Sequence, residues 1–297
     1  MGILEIKGLK KSFGAKTVLD GVDLDIPEHS IFGFIGPNGA GKTTAMKLIL
    51  GLIKADGGEI TVAGEKVRFG QTDTNRHIGY LPDVPEFYSF MTSREYLRFC
   101  GEITGLEDND ITDRTEELLE AVGLSEEKRR IKGWSRGMKQ RLGIAQALLG
   151  RPRLLICDEP TSALDPAGRH DILEILRKAR SQTTVLFSTH ILSDIEEIST
   201  DAAFLNGGKI VLAGSMDQLR GGFGEEKYRL VLSLPEQVRL TEEHFGLTSS
   251  PEGITFSEEQ VTVTELMRFL ADKGFSPLKL ERCERSLEDI FEEVIGA

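Results

Sequence analysis

Cysteine is scarce: Cys100, Cys157 and Cys283 are the three in 297 residues. They match no metal-ligand spacing and are too sparse for a disulfide framework, which predicts a reducing compartment. Long apolar runs are missing as well. No stretch reaches the ~18 residues that cross a bilayer, and the start, Met1-Gly2-Ile3-Leu4-Glu5-Ile6-Lys7, lacks the apolar core of a signal peptide. Work at a membrane is therefore expected to go through a partner. Basic excess is absent too: 36 Lys and Arg stand against 48 Asp and Glu, a net charge of −12. That balance argues against a general nucleic-acid binder. What remains, 39% hydrophobic and 28% charged residues, is an ordinary soluble composition. The length suits one large domain and a small one.

Against these absences stands one dense stretch. Gly36-Pro37-Asn38-Gly39-Ala40-Gly41-Lys42-Thr43 fits the phosphate-loop pattern G-x-x-x-x-G-K-[ST] at every fixed position. Ile31 to Ile35 before it reads as a buried strand, and Thr43 to Leu52 after it as a helix. Glycines at 36, 39 and 41 let successive N–H groups turn inward on phosphate oxygens. The helix N-terminus adds partial positive charge. Lys42 can reach the β- and γ-phosphates, and the Thr43 hydroxyl can ligate Mg²⁺.

The rest of the chain reads in order around that loop. Ile3 to Ile6, Thr17 to Leu19 and Val22 to Ile26 suggest three short strands, broken at Gly14, Asp20-Gly21 and Pro27. They predict an antiparallel layer beside the main sheet. Phe13, in an early turn, reads equally as an aromatic that stacks on a base or as a core residue. Glu59 to Val62 and Arg76 to Leu81 read as strands. Ser93 is a candidate cap for a helix over Arg94 to Gly105, and Thr112 for one over Asp113 to Val122. The cluster Phe87, Tyr88, Phe90 and Met91 is taken as core, with an exposed apolar patch as the alternative. Trp134 to Arg141 leads into a helix reaching about Leu149.

Leu154-Leu155-Ile156-Cys157-Asp158-Glu159 reads as a central parallel strand that delivers two acids to its C-terminal edge. Ligands sit at that edge in open α/β sheets. Asp158 can hold the Mg²⁺ bound by Thr43, and Glu159 can polarise a water attacking the γ-phosphate. Asp165 is a candidate cap for a helix over Ala167 to Ala179. His190 ends a strand over Thr184 to Ser188, at the same edge as Glu159. Ala202 to Leu205 and Lys209 to Ala213 read as a hairpin. Gly221 to Gly224 reads as a linker. Beyond it come a strand over Tyr228 to Leu234, a helix over Thr262 to Lys273, a strand near Leu280 to Cys283 and a helix over Leu287 to Ile295. From Gly221 onward there are 8 basic and 16 acidic residues, −8 of the total −12. That predicts a separate module with a solvated acidic face.

The phosphate loop, Trp134 to Arg141, Leu154 to Glu159, Ser162 to Pro166 and His190 follow the order found in ATP-binding-cassette (ABC) ATPases. Residues 1–220 resemble one cassette of that family. The resemblance implies an α/β phosphate-loop fold with a mixed sheet, an antiparallel β layer and a helical subdomain over about 84–150. A small α+β domain would follow over 221–297. It further implies that Phe13 stacks on adenine, that Gly36, Pro37, Asn38, Gly39, Ala40, Gly41, Lys42, Thr43 and Thr44 hold the phosphates, and that Thr43 and Asp158 hold Mg²⁺. Glu159 would be catalytic and His190 the switch histidine. Asp165 matches the loop that crosses the dimer interface, and Ser135 and Gly137 match the signature motif. Two positions depart from the pattern. Asp83 stands where glutamine or glutamate is usual, and Arg136 lies inside the signature.

The cofactors implied are ATP and Mg²⁺. Each ATP would be sandwiched between the phosphate loop of one subunit and Ser135-Gly137 of another, so a homodimer or a similar second cassette is expected. With no membrane segment of its own, the chain is expected to drive separate permease subunits from the cytoplasmic face of the cell membrane, with no nucleic acid involved. The stretch Ser286 to Phe291 resembles that of exporters. The competing reading is a soluble cassette ATPase acting on ribosomes or DNA; such proteins usually carry two cassettes or a long coiled coil, and this sequence has neither.

Overall fold

In the computed structural model, which describes residues 2–71, 73–221, 227–283, 287, 288, 290 and 291, the chain opens with two long antiparallel strands, β1 (Leu4–Phe13) and β2 (Lys16–Ile26). The break expected at Asp20-Gly21 does not form. Pairing slips at three points instead, and Gly21 takes a φ of 76°, so the irregularity is absorbed as bulges. Next come β3 (Ile31–Ile35), buried at all five positions, and α1 (Lys42–Ile49), which ends earlier than expected because Gly51 turns left-handed at φ 66°. β4 (Gly57–Val62) and β5 (Glu65–Lys66) return to the first sheet, giving the antiparallel order β2-β1-β4-β5.

A short 3-10 turn (Asp73–His77) replaces the start of the next expected strand, leaving β6 (Ile78–Leu81). Three helices follow: α2 (Ser93–Ile103), α3 (Asp108–Ala121) and α4 (Arg136–Leu148). Two expected caps are displaced. Thr92, not Ser93, caps α2, because Glu95 at the third helical position completes a capping box with it. α3 begins before Thr112, whose hydroxyl donates instead to the Asp108 carbonyl. Asp108 and Asp110 in its first turn suit the positive end of the helix dipole. The aromatic cluster divides. Phe87 packs edge-on against Tyr96, with centroids 5.0 Å apart, whereas Tyr88 and Phe90 are at least half exposed.

The chain then alternates through β7 (Leu154–Cys157), α5 (Pro166–Ala179), β8 (Thr184–Thr189), α6 (Leu192–Ile198), β9 (Asp201–Asn206), β10 (Lys209–Ser215) and α7 (Met216–Gly221). The second sheet has the order β10-β9-β3-β8-β7-β6. Its strands are parallel except for β10, which pairs antiparallel at the edge. β3, β7 and β8 are buried along their whole length, as strands covered on both faces must be. One apolar core joins the antiparallel sheet (Leu4, Leu9, Ile26) to α1 (Met46, Leu48) and one face of the mixed sheet (Phe34, Ile156, Leu186).

The chain divides into two units, Met1–Met216 and Asp217–Glu293. The second contains β11 (Lys227–Leu232), α8 (Pro235–Phe245), β12 (Thr248–Ser250), β13 (Gly253–Ser257), α9 (Val263–Asp272) and β14 (Pro277–Cys283). Its βαββαβ order and antiparallel sheet β12-β13-β11-β14 give a ferredoxin-like arrangement. Its own core holds Leu230, Ile254, Phe256, Leu266 and Leu270. Most of the expected linker (222–224) lies outside the described residues, as does much of the last expected helix, of which 287, 288, 290 and 291 are helical.

Candidate functional site

Four parallel strands lying side by side, β6, β7, β8 and β3, end at one edge of the mixed sheet. Each is followed within two residues by a side chain or loop singled out from the sequence: Asp83, the Asp158-Glu159 pair, His190 and Gly36. A parallel sheet thus gathers, by topology alone, groups far apart in the chain.

The loop between β3 and α1 fits close backbone approach. A Cβ on Gly36 would stand 2.4 Å from the Leu205 carbonyl oxygen. Gly41 has a φ of 113°, and a Cβ there would stand 2.9 Å from Leu19 Cδ2. Neither position tolerates a side chain. Lys42 is 6% exposed, and its ammonium donates to the Gly36 and Pro37 carbonyls at 2.6 and 3.4 Å. Glu159 Oε1 lies 3.1 Å from the same nitrogen. A buried ammonium needs such partners.

Glu159 bridges two cationic or proton-bearing groups, since its Oε2 is 2.8 Å from His190 Nδ1. It also sits at φ 48°, left-handed for a non-glycine residue, a strain typical of functional turns. Asp158, 3% exposed, accepts from Ser188 Oγ at 2.7 Å, and Ser188 Oγ accepts from the Glu159 N–H at 3.0 Å. Burial, with Asp158 next, pushes the Tyr80 phenol up to about 12, so it stays neutral beside the acids.

These groups open onto a cavity of about 570 Å³ lined by Phe13, Asn38, Gly39, Ala40, Gly41, Lys42, Thr43, Thr44, Asp83, Glu159 and His190. Lys16, Val18 and Ser162 complete the lining; the sequence reading missed them, along with Ser188. Phe13 is 53% exposed at the tip of the β1–β2 turn, with Lys11 Nζ 5.0 Å from its ring centroid, a surface ring rather than a core one. Gly36 and Pro37 begin the loop, and their carbonyls accept from Lys42. Six expected residues are not in this lining: Gly36, Pro37, the buried Asp158, Ser135, Gly137 and Asp165. Ser135 caps α4 by accepting from the Met138 N–H at 3.2 Å, Gly137 follows in that helix's first turn, and Asp165 caps α5 by accepting from the Gly168 N–H at 3.1 Å.

The donor set fits a polyphosphate with a hard cation: inward-turned glycine backbone, a buried ammonium, a hydroxyl from Thr43 and a buried carboxylate from Asp158. Together with the sheet order and the antiparallel layer, it defines a phosphate-loop ATPase fold of the cassette type. The profile of the ABC transporter family matches residues 19–162. The chain is 37% identical to the ABC transporter ATP-binding protein YxlF of Bacillus subtilis (strain 168), over 99% of this chain and 100% of that protein. It is 36% identical to the bacitracin transport ATP-binding protein BcrA of Bacillus licheniformis, over 99% of this chain and 97% of that protein. The lantibiotic transport ATP-binding protein SrtF of Streptococcus pyogenes shares 38% identity over 72% of this chain and 92% of its own length. A solved ATP-binding subunit of an ABC transporter superposes with a TM-score of 0.67 at 33% identity, over 75% of this chain and 93% of that one. The chain belongs to the ABC transporter family, as an ATP-binding subunit.

Proposed function

We propose that the chain hydrolyses ATP and couples closure and release of a two-cassette dimer to cargo movement through separate permease subunits. The observation that carries this reading is the Glu159 carboxylate, held between Lys42 and His190 on the phosphate-loop cavity. Glu159 is the group that would take the proton from an attacking water, and His190 orients its second oxygen. Lys42, already facing two carbonyls and a carboxylate, would turn its charge to the terminal phosphates. Mg²⁺, when bound, neutralises charge on the phosphate oxygens; Thr43 and Asp158 are the residues that would hold it. Phe13 presents a ring face for adenine. Ser135, Gly137 and Asp165 stand away from the cavity lining, as residues that serve the nucleotide of a second cassette would.

Among the described residues no helix is long and apolar enough to cross a membrane. We therefore assign the chain to the inner face of the membrane through its permease partner. Export is the direction supported by the resemblance of Ser286 to Phe291. Bacitracin and lantibiotics, the cargoes in two relatives' names, are the first to test. The separate unit Asp217–Glu293 supports reading residues 221–297 as an accessory domain beside the ATP-binding part. Glu159→Gln should keep ATP binding, lower hydrolysis by about 10²-fold or more, and run as a dimer with Mg-ATP on size exclusion. Wild-type turnover in that variant would remove Glu159 from the role. Isolation from membranes in mild detergent should recover a multi-span subunit; recovery with ribosomes instead would overturn the transporter assignment.

A further inference from the structure

Asp83 is gripped twice by the first turns of α4. Its Oδ1 accepts from Arg136 Nη2 at 2.9 Å, and its main-chain oxygen accepts from Gln140 Nε2 at 2.9 Å. Arg136 and Gln140 are four residues apart, so both reach out from one face of the helix. The same Asp83 lines the nucleotide cavity with Lys42 and Glu159. Arg136 lies between Ser135, which caps α4, and Gly137. One ion pair therefore links this chain's own phosphate site to the turn that carries Ser135 and Gly137.

The two residues that depart from the family pattern are each other's partners. A carboxylate offers the guanidinium a full counter-charge where glutamine would offer only a dipole. The two side chains are 37% and 46% exposed, too solvated for the pair to add much stability. What it sets is position. Arg136 Nε is buried without a hydrogen-bond partner, and it is Nη2 that reaches Asp83, at Oδ1 and, at 3.4 Å, at the main-chain oxygen.

We propose that Arg136 is a positioning residue that holds Asp83 against α4, so that filling of the phosphate loop is felt by Ser135 and Gly137 of the same chain. This rests on the ATPase reading above. Charge arriving in the cavity acts on the Asp83 carboxylate, and any displacement of that residue pulls on the first turn of α4 through both of its bonds.

The test is a double-mutant cycle in the full-length chain: wild type, Asp83→Asn, Arg136→Gln and the double variant, with Arg136→Lys as the conservative replacement. Arg136→Gln should lower kcat about three- to tenfold with KM for ATP within about twofold of wild type, and the double variant should be no worse than the poorer single. Arg136→Lys should recover part of the loss. Losses that multiply, or a wild-type kcat in Arg136→Gln, overturn the proposal. Absence of Mg-dependent hydrolysis in the wild type would instead count against the ATPase reading. Hydrogen exchange then decides the pair by itself: without nucleotide, Arg136→Gln should speed exchange across residues 83–90, and unchanged protection there overturns the inference.

Discussion

Ser188 shows how much one buried hydroxyl can organise. It donates to Asp158 and accepts from the Glu159 N–H, so both acids are set by a neighbour on the adjacent strand. Ser188→Ala leaves a buried carboxylate one donor short and a main-chain N–H without its acceptor, a cost of about 1–3 kcal/mol. At about 2–4 °C per kcal/mol for a unit of this size, calorimetry should show a clear fall in the thermal midpoint. The Mg²⁺ concentration needed for half-maximal hydrolysis should rise with it; an unmoved midpoint would mean the hydroxyl is dispensable. Glu159→Gln has a second expected signature here. It removes the buried counter-charge of Lys42, so the variant should be less stable than wild type without nucleotide and gain more from ATP. Lys42, Asp158, Glu159 and His190 were legible in the sequence because loop spacing and strand ends are local features. Ser188 was read only as the end of a strand, and the Asp83–Arg136 bond, 53 residues apart in the chain, left no local trace.

The helices were less legible at their ends than in their middles. Candidate caps located α2, α3 and α5, and apolar spacing α4, but choosing the right cap needs the residue three positions on. Thr92 with Glu95 and Thr262 with Glu265 both form capping boxes. α6, α7 and α8 were missed, although Pro235 at the first turn of α8 and the left-handed Gly246 at its end are the expected punctuation. β1 was read only over Ile3 to Ile6, and β2 as two fragments because a bulge at Gly21 looks like a turn until its partner strand is known. Thr92→Ala should cost about 1 kcal/mol, read as a lowered denaturation midpoint. A pH dependence follows from the same boxes. The Thr92 N–H, then its hydroxyl, hold the Glu95 carboxyl below its ordinary 4.5; the Thr262 hydroxyl, then its N–H, do the same for Glu265. Carboxyls lowered in the folded state stabilise fully above their ordinary value and lose that contribution as pH falls through the folded one. Denaturant midpoints measured from about pH 6 to pH 3 should therefore fall below pH 4.5, and less steeply in Thr92→Ala.

At the scale of the whole molecule, the two units have separate cores, and every residue lining the nucleotide cavity belongs to the first. A chain ended after Gly221 should therefore fold and bind Mg-ATP with affinity near that of the full chain, measured by calorimetric titration; loss of binding would make the C-terminal unit part of the site. The fold class was legible because the phosphate loop and the acid-tipped strand specify a parallel sheet between them. The ferredoxin-like order of the C-terminal unit was not, since α8, β12 and β13 went unread. The cavity also spans two sheets. Phe13, Lys16 and Val18 come from the antiparallel one, while Lys42, Glu159 and His190 come from the loops of the mixed one. A nucleotide seated there acts as a rivet between two plates, and prying them apart in a pulling experiment should take more force when it is in place.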